Sequence, residues 1–114
     1  MAKFMLILGG ADLDKRSRNP NRTANVLEQY MAWVGKLSAA GRLAASYKLY
    51  DQTGARLSVR GGQVVDGPFV ETKEAVGGIF VIEADSLEHA TEIARDCPVL
   101  LAQNGYVEVR AVER

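Results

Sequence analysis

The side chains of this chain best suited to chemistry fall in two short stretches. The first is Asp66-Gly67-Pro68-Phe69-Val70-Glu71-Thr72-Lys73-Glu74, which joins a turn former, a fixed proline, an aromatic ring and four charges within nine residues. The second is Tyr106-Val107-Glu108-Val109-Arg110, where polar and apolar side chains alternate strictly. An aspartate ahead of Gly-Pro can lock a turn by accepting hydrogen bonds from backbone amides a few residues on. The same carboxylate held beside a cleft would serve as a general base or a ligand acceptor. Both readings of Asp66 stay open. Glu108 and Arg110 can pair with each other or sit at a subunit rim. Alternatively, Arg110 receives an anionic group in a cleft between a sheet and the Asp66 loop. Phe69 suits an anchor for that loop better than a stacking platform. Lys73, with Glu71 and Glu74, forms either a solvated charge run or a recognition edge. The candidate set is therefore Asp66 as a tentative acid/base, with Phe69, Lys73, Tyr106, Glu108 and Arg110 as ligand-binding residues.

Other chemistries find little support in the residue types. One histidine and one cysteine do not make a His/Cys metal site, and neither a metal nor a cofactor is expected. Cys97 precedes Pro98 with no histidine nearby to activate it, so it reads as an inert thiol near a turn. His89 falls on the expected outer side of a helix and reads as solvated. Gly9-Gly10 follows a strand but lacks the further spaced glycines and the helix of a nucleotide-binding turn. No serine or cysteine stands in a nucleophile context. Fourteen basic side chains balance fourteen acidic ones, so no long-range field favours nucleic acid or an anionic membrane. The local cluster Lys15, Arg16, Arg18 and Arg22 reads as a solvated loop. The apolar run Phe4 to Leu8 is too short for a secretory core or a membrane span, and with a single cysteine a reducing cytoplasm is the expected home.

The elements that must position these side chains can be read in order. With 114 residues, 47% of them hydrophobic and 25% charged, the chain has the size and composition of one globular domain, residues 1–114. Residues 3 to 8 form an apolar strand ending at Gly9-Gly10, and residues 9 to 22 a loop. Asn19-Pro20 opens a helix over about 20–40, with Val26, Leu27, Tyr30, Val34 and Leu37 as its apolar stripe, Trp33 on the flank and Gly41 as C-terminal cap. A second strand alternates from Leu43 to Tyr50. Leu57 to Arg60 and Gln63 to Val65 flank Gly61-Gly62 as a tight two-residue hairpin. Ile79 to Ala84 form an apolar strand, Asp85 caps a second helix with Glu88 in the capping-box position, Pro98 stops it, and Tyr106 to Val112 close the sheet.

This order is β-α-β, an inserted β-hairpin, then β-α-β: an α+β, ferredoxin-like fold with a four-stranded antiparallel sheet and two helices on one face. Strands 3–8 and 79–84 are apolar on both sides, so the face away from the helices would leave a large apolar patch in water. A second copy laid sheet to sheet would cover it, and a symmetric homodimer is expected. On the last strand, Val107, Val109 and Ala111 suit the helix side, which sends Tyr106, Glu108 and Arg110 to the inner, covered side.

With these residues in view, the chain resembles the DGPF-motif branch of the YCII-related proteins. The resemblance rests on the opening strand, the Tyr30 to Gly41 helix, Val59-Arg60, Asp66 to Glu74 with Gly77-Gly78, and the closing Glu108-Val109-Arg110. It implies a ferredoxin-like fold paired as a dimeric α+β barrel. It also implies an accessory or sensing role beside extracytoplasmic-function sigma factors. Relatives that look like enzymes present a His–Asp pair; here the first helix has no histidine and His89 lies elsewhere. Three functions stay in play: a homodimer binding a small polar or anionic ligand or a regulatory protein, a lyase, isomerase or hydrolase using Asp66 as base, and a pure protein-interaction module. The second requires Asp66 in a closed pocket. The third requires an exposed apolar patch outside the dimer contact.

Overall fold

A computed structural model describes residues 2–10, 20–49, 54–67, 76–101 and 104–113, with the side chains of residues 20–26 left aside. Among these residues six strands and two α-helices follow in the order β1 (Ala2–Gly9), α1 (Pro20–Ala39), β2 (Leu43–Lys48), β3 (Leu57–Arg60), β4 (Gln63–Asp66), β5 (Val76–Ala84), α2 (Leu87–Arg95), a short 3-10 turn (Pro98–Leu101) and β6 (Tyr106–Ala111). Four of the strands form an antiparallel sheet in the order β2-β5-β1-β6. Sequence neighbours do not sit side by side. Each βαβ unit leaves a gap of one strand, and the other unit fills it, which is the split arrangement of a ferredoxin-like α+β fold.

Antiparallel pairing fixes which side chains share a face. Phe4, Leu6, Leu8, Phe80, Ile82 and Ala84 point to the helices and are buried, with Val107 and Val109 packed against them. Trp33 of α1 lies edge-on to Phe80, centroids 4.9 Å apart at 78°, and its indole N–H donates to the Ile93 carbonyl at 3.4 Å. One side chain thus joins α1, the sheet and α2. The aromatic geometry favours such an edge contact, and the donor finds its acceptor. The expected stripe is corrected here: Trp33 is in the core rather than on the flank, and Leu27 is exposed. Val26 lies among the side chains not described.

Local signals explain most element ends. Gly41, at φ 70°, closes α1: its N–H reaches Ser38 and that of Arg42 reaches back to Leu37, the two bonds of a Schellman cap. Gly61 and Gly62 both have positive φ, 58° and 78°, between the paired residues Arg60 and Gln63. A type I′ hairpin demands that combination, and glycine adopts it without strain. The start of α2 differs from expectation. Ser86, not Asp85, is the N-cap, and its hydroxyl accepts from the His89 amide at 3.1 Å. His89 occupies the capping-box position expected for Glu88, with Nδ1 accepting from the Asp85 amide at 3.1 Å. Strand β5 begins at Val76, ahead of the two glycines; β2 ends at Lys48 and β6 at Ala111, each short of the expected end. Asn19 and Tyr50 lie outside the described residues.

Candidate functional site

The open face of the sheet is built row by row from the strand register. One row runs Tyr47–Ile79–Ile7–Glu108, and the next runs Ala45–Val81–Met5–Arg110. Both rows are apolar at the centre and charged at the β6 edge. Glu108 and Arg110, two apart on β6, point the same way. Their side chains meet at 3.4 Å, and both are more than half exposed. An exposed pair of this kind is weak, because water competes for both partners. Neither side chain is held firmly by the other. The β6 face assignment made from the sequence holds: Val107 and Val109 pack on the helix side, and Tyr106, Glu108 and Arg110 stand on the other.

Tyr106 heads this edge, paired with Gly9 across the ladder. Its ring lies across Gly9 so closely that a Cβ at that position would come within 3 Å of the phenol oxygen and the ring carbons. Gly9 is thus a seat for the tyrosine ring, pinning it flat against the sheet. In the sequence Gly9 reads as the end of a strand and, without further spaced glycines, not as a nucleotide-binding turn; its contact with Tyr106 was not foreseen. The signal was present in principle, since a glycine inside a ladder often marks a close approach.

Asp66 is exposed at the end of β4, opposite Leu57 in the β3–β4 hairpin. It therefore belongs to a different sheet from Glu108 and Arg110, and among the described residues β4 makes no extended contact with β6. A general base at neutral pH needs a desolvated setting, and an exposed hairpin residue lacks one. Phe69 and Lys73 lie outside the described residues, as does the rest of the loop from Pro68 to Ala75.

Two other reactive side chains are accounted for by structure. Cys97 is 2% exposed. Burial pushes its thiol up to about 11, against the opposing pull of the Val99 backbone and a hydrogen bond with Tyr30. A thiol held protonated is no nucleophile. His89, expected to be solvated, is half-buried and spends its Nδ1 on the start of α2, 3.5 Å from the Asp85 carboxylate. Ser86 turns its hydroxyl to the His89 backbone rather than to the imidazole, so Ser86, His89 and Asp85 form a cap and not a catalytic relay. Among the described residues no group of three or more His, Cys, Asp or Glu side chains gathers to hold a metal ion, and no helix is long and apolar enough to cross a membrane.

A two-layer α+β fold whose second sheet face, among the described residues, lies outside the buried core and is edged by a charged pair and a seated tyrosine, defines a class of small ferredoxin-like proteins. The model of the YCII-related domain matches residues 4–114, and the chain belongs to that family. It is also 36% identical over 88 residues to a protein of Rhizobium meliloti (strain 1021) described as uncharacterised, covering 75% of this chain and 71% of that one.

Proposed function

We propose that this YCII-related protein, read as a member of the DGPF branch, works as a cytoplasmic homodimer that binds a small polar or anionic ligand at the β6 edge of the open sheet face. The observation that carries the reading is the pair Glu108 and Arg110, placed beside Tyr106 at the edge of two rows that are apolar at the centre, with the charged pair Lys3 and Glu83 in the adjoining row. A purely structural edge gains nothing from a guanidinium beside a bare apolar surface. A ligand site gains both an anion partner and a low-dielectric wall that strengthens the contact. The second copy supplies that wall. Face-to-face stacking would cover Met5, Ile7, Ile79 and Val81 and leave the charged edges at the rim, where ligands enter. An accessory or sensing role, the setting suggested by the resemblance to sigma-factor-associated relatives, needs a binder of this kind and no chemical step.

Thermal shift with a panel of small carboxylates, phosphate and phosphate esters tests the reading. At least one anion should raise the melting temperature of the wild type and leave the Arg110→Ala and Asp66→Ala, Arg110→Ala variants unmoved. If every compound shifts wild type and variants alike, the site is not at this edge.

A further inference from the structure

The β3–β4 hairpin is the part of the molecule that its own chain explains least. Leu57, Val59 and Val64 share one face of it with Asp66 and are 66%, 71% and 70% exposed. Among the described residues, the two strands make extended contact with each other alone. A solitary two-stranded hairpin is marginal in water and needs an apolar surface to rest on. The molecule is also spread out: its radius of gyration is 15.8 Å, against about 13 Å for a compact domain of this length.

The same chain offers the missing surface. Four strands about 4.8 Å apart, two of them six residues long and the central two eight and nine, at about 3.3 Å per residue give the open sheet face a footprint of roughly 450 Å². A stable pair of subunits buries about 800 Å² on each. The sheet faces alone fall short by about half, and two apolar hairpins are what remains to supply the rest. We infer that the hairpin of each protomer reaches onto the second copy and lies along its β6 edge, so that Asp66 of one subunit and Arg110 of the other face a common site. This rests on the homodimeric binding site proposed above and says how that site is completed.

Geometry selects the edge. The hairpin springs from the end of β2 and returns to the start of β5, and that end of the sheet is where Val76 pairs with Gly9 and Gly9 with Tyr106. A two-fold axis parallel to the strands keeps that end in place and exchanges the edges, laying β2 of one sheet over β6 of the other. Tyr47 then faces a Glu108 carboxylate it can donate to, the small Ala45 faces the long Arg110 side chain, and Ile79 faces Ile7. An axis across the strands would instead stack β6 on β6 and crowd four charges together, a costly arrangement once water is excluded. With the first axis each hairpin root arrives beside Tyr106 of the opposite subunit, and a hairpin lying along β6 from there spans the roughly 13 Å between Tyr106 and Arg110, so that Asp66 shares that edge with the guanidinium.

Cross-linking tests this directly, because Cys97 is buried and leaves engineered thiols as the reactive ones. A mixture of Asp66→Cys and Arg110→Cys chains, treated with a short bis-maleimide, should give a covalent dimer, while each variant alone should not. A Val59→Asp, Val64→Asp variant should keep its circular dichroism and dissociate at least tenfold more readily in sedimentation. If wild type sediments as a monomer at micromolar concentration, the homodimeric reading itself fails. If wild type is dimeric but the mixed chains do not link, or the aspartate variant dimerises as tightly as wild type, the hairpin inference alone is overturned.

Discussion

On one face of the four-stranded sheet Phe4, Leu6, Phe80 and Ile82 lie beneath two helices, while on the other Met5, Ile7, Ile79 and Val81 are only partly buried and lie outside that core cluster. The two sets alternate along the same two central strands and are equally apolar. Their difference is supplied wholly by the connections. Both crossovers place their helices on one side of the sheet, so topology covers that face with helices and not the other. Among the described residues, the hydrophobic side chains of the open face lie outside the buried core cluster.

The largest expected effect separates the faces most sharply. Ile82→Ala removes a fully buried side chain and should cost about 2–5 kcal/mol in urea unfolding at any protein concentration. Ile79→Ala, from the open face, should cost under about 1 kcal/mol in dilute protein and progressively more as concentration rises and a second copy covers it. Equal costs at the lowest concentration would mean that the chain already shelters both faces.

A middle-sized effect concerns the rim of the open face. Gly9→Ala forces a methyl group into the Tyr106 ring, and such overpacking costs about 1–3 kcal/mol. The Gly9→Ala, Tyr106→Ala double variant should regain most of that loss, since the clash has no second party. A double variant no better than Gly9→Ala would show that the glycine serves backbone shape and not the ring.

These contrasts also explain what could be read in advance. The split βαβ order was legible because β1 and β5 are largely apolar runs, Gly61-Gly62 permits only a tight hairpin, and β6 alternates strictly. The same alternation assigned Glu108 and Arg110 to the correct face. The start of α2 was not legible, because Asp85 and Ser86 are both good caps and the choice turns on His89, whose Nδ1 engages the Asp85 amide. Leu27 was misplaced for a different reason. At 100° per residue it lies about 80° around the helix from Leu37, while Trp33 reaches both Phe80 and Ile93 and draws the buried stripe to its side. Asp66 was assigned to the same cleft as Arg110 because sequence gives order and not distance; within one chain the hairpin carries it onto a separate sheet.

The smallest expected effect is the most telling about purpose. Glu108 and Arg110 form a well-exposed pair at 3.4 Å, and double-mutant cycles on such pairs give about 0.2–1 kcal/mol. Glu108→Ala, Arg110→Ala and the double variant should therefore unfold in urea almost as wild type does, while Arg110→Ala abolishes the thermal shift by anions. A side chain that folding does not need and binding does is a functional one, set on a face whose apolar centre needs cover. Should the cycle instead return a coupling of several kcal/mol in the isolated protomer, the pair would be a structural clasp for the β6 edge, and the contrast between a face made for folding and a face made for partners would lose its charged half.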